Sequence, residues 1–339
     1  MNIIHKLYDE EFIKKFFDEK ILPLYPCFKS IKKINIHGIK NHIWEVTYHV
    51  VIGYDTFFVD EKGETTRLQI YCSAHSEEER KNVFEALSFL WSKGFAHDQL
   101  TIPHALCYSE EFKGIFYRGI KGKNFYRYIK NEEINEIKIL AKLSAQWFAK
   151  LHSLDTAGAK NFSVANSRIE TIVPGAKHWL DSIRYKQPEY FTLVRNIFNI
   201  INDAEKKFLD STDQRWLIHG DAHPENVIKI SDTQLGVIDF TDMCLADFAR
   251  DLGAFSQQVE YMAVRHIKNK KIINSLKKIF IDEYIKAANI KLDNEVKKRI
   301  KNYYNWAALR TVVFFLVKQH PEPLRAEELL NQLKKEMNL

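Results

Sequence analysis

Between Trp216 and Ile230 the chain reads WLIHGDAHPENVIKI, a cluster of His, Asp, Pro, Glu and Asn set between two apolar runs. Asp221 and Asn226 stand five residues apart, the spacing of a loop that carries a carboxylate and an amide toward one cavity. A third oxygen-bearing side chain, Asp239, ends the apolar strand GVID after a hairpin-sized gap containing SDTQ. Two acids and an amide in this layout are the set that phosphoryl transfer requires. In that reaction the protein does little covalent work and acts by positioning and charge neutralisation. One carboxylate orients the acceptor hydroxyl and takes its proton. An amide oxygen and a second carboxylate suit magnesium, a hard cation that prefers oxygen ligands. The plain alternative is a polar hairpin with coincidental spacing.

The elements that must hold these groups are legible on either side. The first part of the chain is strand-like: IKKINIHGI (31–39), HIWEVTYHVVIGY (42–54) and TTRLQIYC (65–72) alternate β-branched or aromatic residues with polar ones. DEKGE at 60–64 marks a turn. Ser76 with Glu79 reads as a capping box, followed by Val83, Leu87, Leu90 and Trp91 at helical spacing and Gly94 as a stop. Two short strands follow near 105–109 and 114–119. After Gly122 the period changes: Ile134, Ile137, Leu140, Leu143, Trp147, Leu151 and Leu154 recur at helical spacing. Helices then dominate, interrupted by RWLIHGD, NVIKI and QLGVIDF. The expectation is an α+β chain in two lobes, 1–121 with a small antiparallel sheet and one helix, and 122–339, larger and mainly helical.

Composition narrows the classes. With 339 residues, two cores are the default. A charged fraction of 28% and a hydrophobic fraction of 45% describe an ordinary globular chain rather than a disordered one. The net charge of +6 is modest, and its lysines are mixed with acids, which argues against nucleic acid as a partner. Cys27, Cys72, Cys107 and Cys244 form no CxxC pair, so free thiols in a reducing cytosol are expected. The opening MNIIHKLYDEEFIKKFF lacks the pattern of a signal peptide. VVFFLV, the most apolar run, falls far short of the roughly 20 residues of a membrane span. A cytoplasmic protein without a membrane partner is the expectation; oligomeric state is not legible.

The layout HGDAHPEN followed by VIDF matches that of the protein kinases, whose catalytic loop HRD with a later Asn precedes an Asp-Phe-Gly strand end. With LADFARDLG close behind and Gly220 where protein kinases have Arg, the chain resembles the aminoglycoside phosphotransferase and choline kinase superfamily, whose fold is similar to that of protein kinases. GIKNHIWEV (38–46) looks like that family's phosphate-covering turn, with Gly38 and then Asn41 before the next strand. IFYRGIKGKNFYRYI (115–129) looks like its hinge, and WFAKLHSL like the helix leading into the second lobe. The resemblance runs from about Ile31 to Phe255.

The resemblance implies an enzyme: a magnesium-dependent kinase that moves the γ-phosphate of ATP, or GTP, to a hydroxyl of a small molecule. It makes Asp221 the catalytic base, Asn226 and Asp239 the magnesium ligands, and His219 a brace of the loop. Adenine is expected at the segment Tyr117, Arg118, Gly119 and Ile120, read by backbone groups. Asp247 and Asp251 are expected to cap the next helix, Asp242 to be a turn acid, and His223 and Glu225 to shape the loop and point outward. His152 is expected to pack at its helix end. One departure stands out: the third strand lacks the family's lysine. Gln69, Tyr71 and Cys72 stand there, with Arg67 as the strand's positive charge. Arg67 as nucleotide-binding cation, a backbone nest with the Gly38 turn, a lysine from elsewhere, and Arg67 as a mere solvent-facing residue all remain open. Glu260, Tyr303 and Trp306 are available for a cationic acceptor, or for core packing. The missing lysine motivates the competing reading, a nucleotide-binding or interaction module without transfer activity. A protein kinase is disfavoured, because LADFARDLG leaves little room for an activation segment.

Overall fold

A computed structural model describes residues 2–96, 99–156, 159–337 and 339. The chain divides into two compact units, Met1–Lys121 with Gly236–Thr241, and Gly122–Leu235 with Asp242–Leu339.

In the first unit, α1 (Glu10–Lys20) is followed by β1 (Phe28–Ile43), β2 (Tyr48–Asp60), β3 (Thr65–His75), α2 (Lys81–Leu90), β4 (Leu100–Thr101), β5 (His104–Ser109) and β6 (Gly114–Arg118). Five of the strands form an antiparallel sheet in the order β1-β2-β3-β6-β5. The period-2 pattern of β2 puts Val50, Ile52, Tyr54 and Phe58 on one buried face, where they join Ile70, Cys72 and Phe116. Asp9 caps α1 by accepting the Phe12 N–H at 2.7 Å, and the helix lays Ile13 and Phe17 into that face. Phe17 meets Tyr54 and Phe116 ring to ring at 5.1 and 5.9 Å. Each fully buried ring contributes about 1.5–3 kcal/mol.

Two local expectations are corrected here. The stretch 42–54 is not one strand, because Trp44 N–H bonds the Thr47 carbonyl at 2.9 Å and the chain reverses. Gly38 therefore lies inside β1, opposite Ile52 beside a bulge, and the turn falls six residues later. Alternating apolar residues on both sides of a turn look like one long strand to the eye of periodicity. Ser76 and Glu79 do not form a capping box either. The Ser76 hydroxyl takes the Tyr48 N–H at 3.1 Å, the Glu79 carboxylate takes the Tyr108 hydroxyl, and α2 starts only at Lys81. Cross-strand partners outcompeted the local cap.

The second unit contains β7 (Lys123–Asn124), α3 (Phe125–Lys130), α4 (Ile134–His152), α5 (Ala176–Lys186), α6 (Pro188–Asp210), β8 (Trp216–Ile218) and β9 (Val227–Lys229). β10 (Leu235–Val237) crosses the division, and β11 (Cys244–Ala246), α7 (Ala249–Ala263), α8 (Lys270–Ala288), α9 (Asn294–Val317) and α10 (Pro323–Met337) complete it. One of its cores joins α5, α6, α9 and α10 through Trp179, Ile197, Trp306, Leu309, Val312 and Leu330. α9 also crosses α7 at backbone distance: a Cβ on Gly253 would stand 2.5 Å from the Ile300 carbonyl oxygen. That close approach needs glycine and fixes the two helices that wall the cavity described below. Among the described residues, no helix is long and apolar enough to cross a membrane.

Candidate active site

The segment 216–230 leaves β8, which pairs antiparallel with β11, and re-enters the fold through a short 3-10 turn, Pro224–Asn226, before β9. Its shape is set by one buried carboxylate. Asp251, on α7, accepts the backbone N–H groups of His219 at 2.7 Å and Gly220 at 3.0 Å. The same carboxylate lies 3.1 Å from His152 Nε2, and His152 Nδ1 lies 2.9 Å from the Tyr284 hydroxyl. Burial disfavours the Asp251 charge, but the His152 hydrogen bond and charge outweigh it and hold its pKa below the usual carboxylate range. Asp251 is thus a loop anchor, not a helix cap as expected from sequence; capping falls to Asp247, which accepts the Ala249 N–H at 3.0 Å and pairs with Arg299 at 2.6 Å. His152 belongs to the anchor as well as packing at its helix end.

Gly220 adopts φ +85°, and a Cβ there would lie 2.3 Å from the Asp242 carbonyl oxygen. The position tolerates no side chain, which is the physical reason for Gly where protein kinases carry Arg. Asp242 itself accepts the Asn166 amide at 2.9 Å, as a turn brace would. His219 is fully buried, with its ring edge-on to Trp147, and its Nδ1 accepts the Asp221 N–H at 3.3 Å.

The five-residue spacing now has a bond to explain it: Asn226 Nδ2 donates to the Asp221 carbonyl at 3.0 Å, tying the loop shut and directing the amide oxygen the other way. The Asp221 side chain is flanked by His223 Nε2 at 3.3 Å and Arg310 at 3.6 Å. Burial opposes its charge, yet His223 and Arg310 prevail and keep the carboxyl far below its ordinary range. His223 therefore turns back onto Asp221 instead of pointing outward. Neither this contact nor Arg310, a residue of α9 far along the chain, had a signal in the sequence.

Asp221 opens into a cavity of about 410 Å³ in the second unit. His223 and Glu225 line it from the loop, Tyr261 and Arg265 from the end of α7, Trp306 and Arg310 from α9. Of the other residues expected at an acceptor pocket, Glu260 is bound to Lys277 and to the Tyr304 hydroxyl, and Tyr303 is buried with its hydroxyl on Glu205 at 3.2 Å. Neither faces the cavity, and Tyr303 is core.

The remaining sequence candidates sit in the first unit. Asp239 holds φ +66°, a left-handed conformation that Asp tolerates better than most, and its Oδ1 accepts the Thr241 hydroxyl at 2.8 Å. Ile120 packs on Gly236, Gly119 N–H bonds the Gln69 carbonyl at 3.3 Å, and Arg118 ends β6 exposed. Tyr117 stacks on Tyr71 at 5.6 Å; burial first, then the Cys72 and Asp239 charges, push its hydroxyl pKa up. Tyr117, Ile120 and Asp239 are thus brought together. Arg67 is 56% exposed and bound to Asp55 at 2.7 Å, and Asn41 accepts the Tyr8 hydroxyl at 2.5 Å. A cation that sequence reasoning overlooked, Lys40, lies beside the Gly38 bulge with its ammonium 3.1 Å from His49 Nε2. His49 belongs to the strand face opposite the α1 core, the face that Tyr71 shares.

The model of the phosphotransferase enzyme family, APH, matches residues 52–264, more than half of the chain. The chain belongs to that family. It is a phosphotransferase of the small-molecule kinase kind, in the aminoglycoside phosphotransferase and choline kinase superfamily. No curated protein matches it. Among solved structures, it is similar to the GDP and kanamycin complex of APH(2")-IIia, at 12% identity over 95% of this chain and 99% of that one, with a TM-score of 0.54. A thermostable mutant of aminoglycoside phosphotransferase APH(4)-Ia matches at 12% identity, 96% and 99% coverage and a TM-score of 0.53. Plasmodium vivax ethanolamine kinase matches at 14% identity, 90% and 82% coverage and a TM-score of 0.50. At such identities the likeness is one of fold, the protein-kinase-like fold of the family. The family match ends before α9 and α10, which with α7 wall much of the cavity.

Proposed function

We propose that this phosphotransferase moves the γ-phosphoryl group of ATP, or of GTP, onto a hydroxyl of a small molecule held in the cavity beside Asp221. The observation that carries the reading is the Asp221 carboxylate, ionised, aimed into a cavity and braced through its own backbone by His219, Asn226 and, via the preceding residues, Asp251. In the reaction the acceptor oxygen bonds to the γ-phosphorus, the bond to the β–γ bridging oxygen breaks, and the hydroxyl proton passes to Asp221. A carboxyl with so low a pKa is a weak base, which fits a loose transition state in which the hydroxyl is oriented first and deprotonated late. Its main work is orientation, and the buried anchor keeps that orientation fixed.

The donor set fits magnesium. Asn226 offers an amide oxygen, its N–H group being committed to Asp221, and Asp239 a carboxylate oriented by Thr241. Both are the hard oxygen ligands that this ion takes, and bound there it would neutralise the phosphate charge. For the nucleotide we assign the backbone at Tyr117–Ile120 to the base. We assign the phosphates to Lys40 rather than Arg67, because Arg67 is engaged by Asp55 whereas the partner of Lys40 is an uncharged imidazole. Burial, then the Lys40 charge, draws the His49 pKa down to about 4, so the ring stays neutral and leaves the ammonium charge uncompensated.

The test is ADP release with magnesium and ATP or GTP against a panel of hydroxyl acceptors. Wild type turns over at least one acceptor, and Asp221→Ala lowers that rate by about 10²–10⁴-fold. Identical background for wild type and Asp221→Ala with every acceptor would sink the reading.

A further inference from the structure

The cavity beside Asp221 is lined by more positive charge than its own loop can answer. Arg265, Arg310, Lys318 and Arg325 line it, against Asp221 and Glu225. Two of the cations converge. The guanidinium groups of Arg265 and Arg325 both donate to one acceptor, the Tyr261 hydroxyl, Arg325 at 3.0 Å. Each lies over an aromatic ring, Arg265 over Tyr261 at 4.0 Å from the ring centre and Arg325 over Phe315 at 4.1 Å. Lys318 stands 5.6 Å from the centre of the same Phe315 ring. Glu322 pairs with Lys318 and Arg325, but among the described residues Arg265 has no carboxylate at ion-pair distance. Burial first, and then the Arg325 charge, draw the Arg265 pKa down against the opposing pull of Tyr126 and Glu328.

Two planar guanidiniums fixed on rings and sharing one neutral oxygen are pre-organised for an anion with two or more oxygens. The ring contacts and the shared hydroxyl already hold both side chains, so little of their freedom is lost when such a group arrives. The same arrangement repels an ammonium group. Resting on the kinase reading above, we propose that the acceptor is a hydroxylated small molecule bearing an anionic group, a carboxylate or a phosphate, which Arg265 and Arg325 bind while its hydroxyl faces Asp221. Polycationic acceptors are excluded by the same charges. Arg265, Arg310, Lys318 and Arg325 all lie beyond the stretch matched by the family model.

The first arm reads binding without turnover. Acetate and inorganic phosphate are titrated separately into the full-length protein, and the arginine side-chain N–H signals are followed by NMR, assigned with Arg265→Gln and Arg325→Gln. Saturable shifts of both signals are expected, with affinity falling about tenfold in either variant, the loss of one charged hydrogen-bonded pair. Comparing the two anions separates carboxylate from phosphate recognition. No saturable shift, or an affinity unchanged in the double variant, overturns the inference. The second arm uses acceptors matched in skeleton: glucosamine, glucose, gluconate and glucose 6-phosphate, with kanamycin alongside. Anionic acceptors are expected to show the lower KM, raised about tenfold by Arg265→Gln with kcat held. A cation as the better acceptor overturns the inference and leaves the kinase reading standing. Absence of Asp221-dependent turnover with every compound sinks the kinase reading alone, and the anion titration still decides this one.

Discussion

The loop 216–226 and the hairpin around Trp44–Thr47 are both short polar connections that the family resemblance singles out, yet they are built by opposite means. In the loop, two consecutive N–H groups end on a fully buried carboxylate, one glycine is pressed against a neighbouring backbone, and an amide closes the ring. In the hairpin no tie is fully buried: Trp44 N–H bonds the Thr47 carbonyl, the Asn2 amide donates to the Trp44 and Thr47 carbonyls at 3.2 Å each, and the side chains of Trp44 and Val46 stand in solvent. A buried polar partner over-determines a conformation because leaving it unpaired is costly, whereas an exposed one trades with water at little cost. Rigid placement of Asp221 and a lightly held hairpin are therefore both consequences of burial, not of loop length.

That contrast breaks first at its strongest point. Asp251→Ala leaves the His219 and Gly220 N–H groups and His152 without their buried partner, and a loss of about 3–5 kcal/mol with turnover abolished is expected in denaturant unfolding and ADP-release assays. An intact melt with normal turnover would mean the loop holds itself. Next, Lys40→Ala should raise the KM for the nucleotide about tenfold while the melting temperature stays put. The pH dependence of the first unit is a finer probe. His49 has its pKa drawn from 6.5 down to about 4, so as pH falls through that window the unfolded chain takes up a proton that the folded form refuses. Stability then decreases from the ordinary histidine pKa to about 4 and levels off, and His49→Gln should flatten the slope. The smallest effect is expected at Arg67→Ala, under about 1 kcal/mol in stability with the nucleotide KM unchanged, as befits an exposed ion pair. A large rise in KM there would return the phosphate role to Arg67.

The same contrast explains what was legible. Asp221 and Asn226 could be paired from spacing because a hydrogen bond five residues long is a local event, written into the order of residues. The sheet of the first unit and the helical run from Ile134 were legible because period 2 and period 3.6 are local too. What escaped was decided at a distance. Asp251 looks like any acid near a helix start until His219 and His152 are folded onto it. Ser76 offers a cap to the next helix, and Tyr48 on another strand takes it. The turn at Trp44–Thr47 was hidden by aromatic and β-branched residues that continue their alternation across it. In the cation pair Arg265 lies only four residues from Tyr261, but Arg325 reaches the same hydroxyl from α10, 64 residues on, and no periodicity marks that meeting.

Asp251 lies 32 residues beyond His219 and 99 beyond His152 along the chain. Closing such spans costs entropy before any contact repays it. A nascent chain that has emerged only as far as Ile230 thus carries Asp221 and Asn226 without the partner that arranges them. The loop takes its form only with α7, and the cavity it faces only with α9 and α10, so a chain truncated before Asp251 should be not a weak enzyme but an inert one.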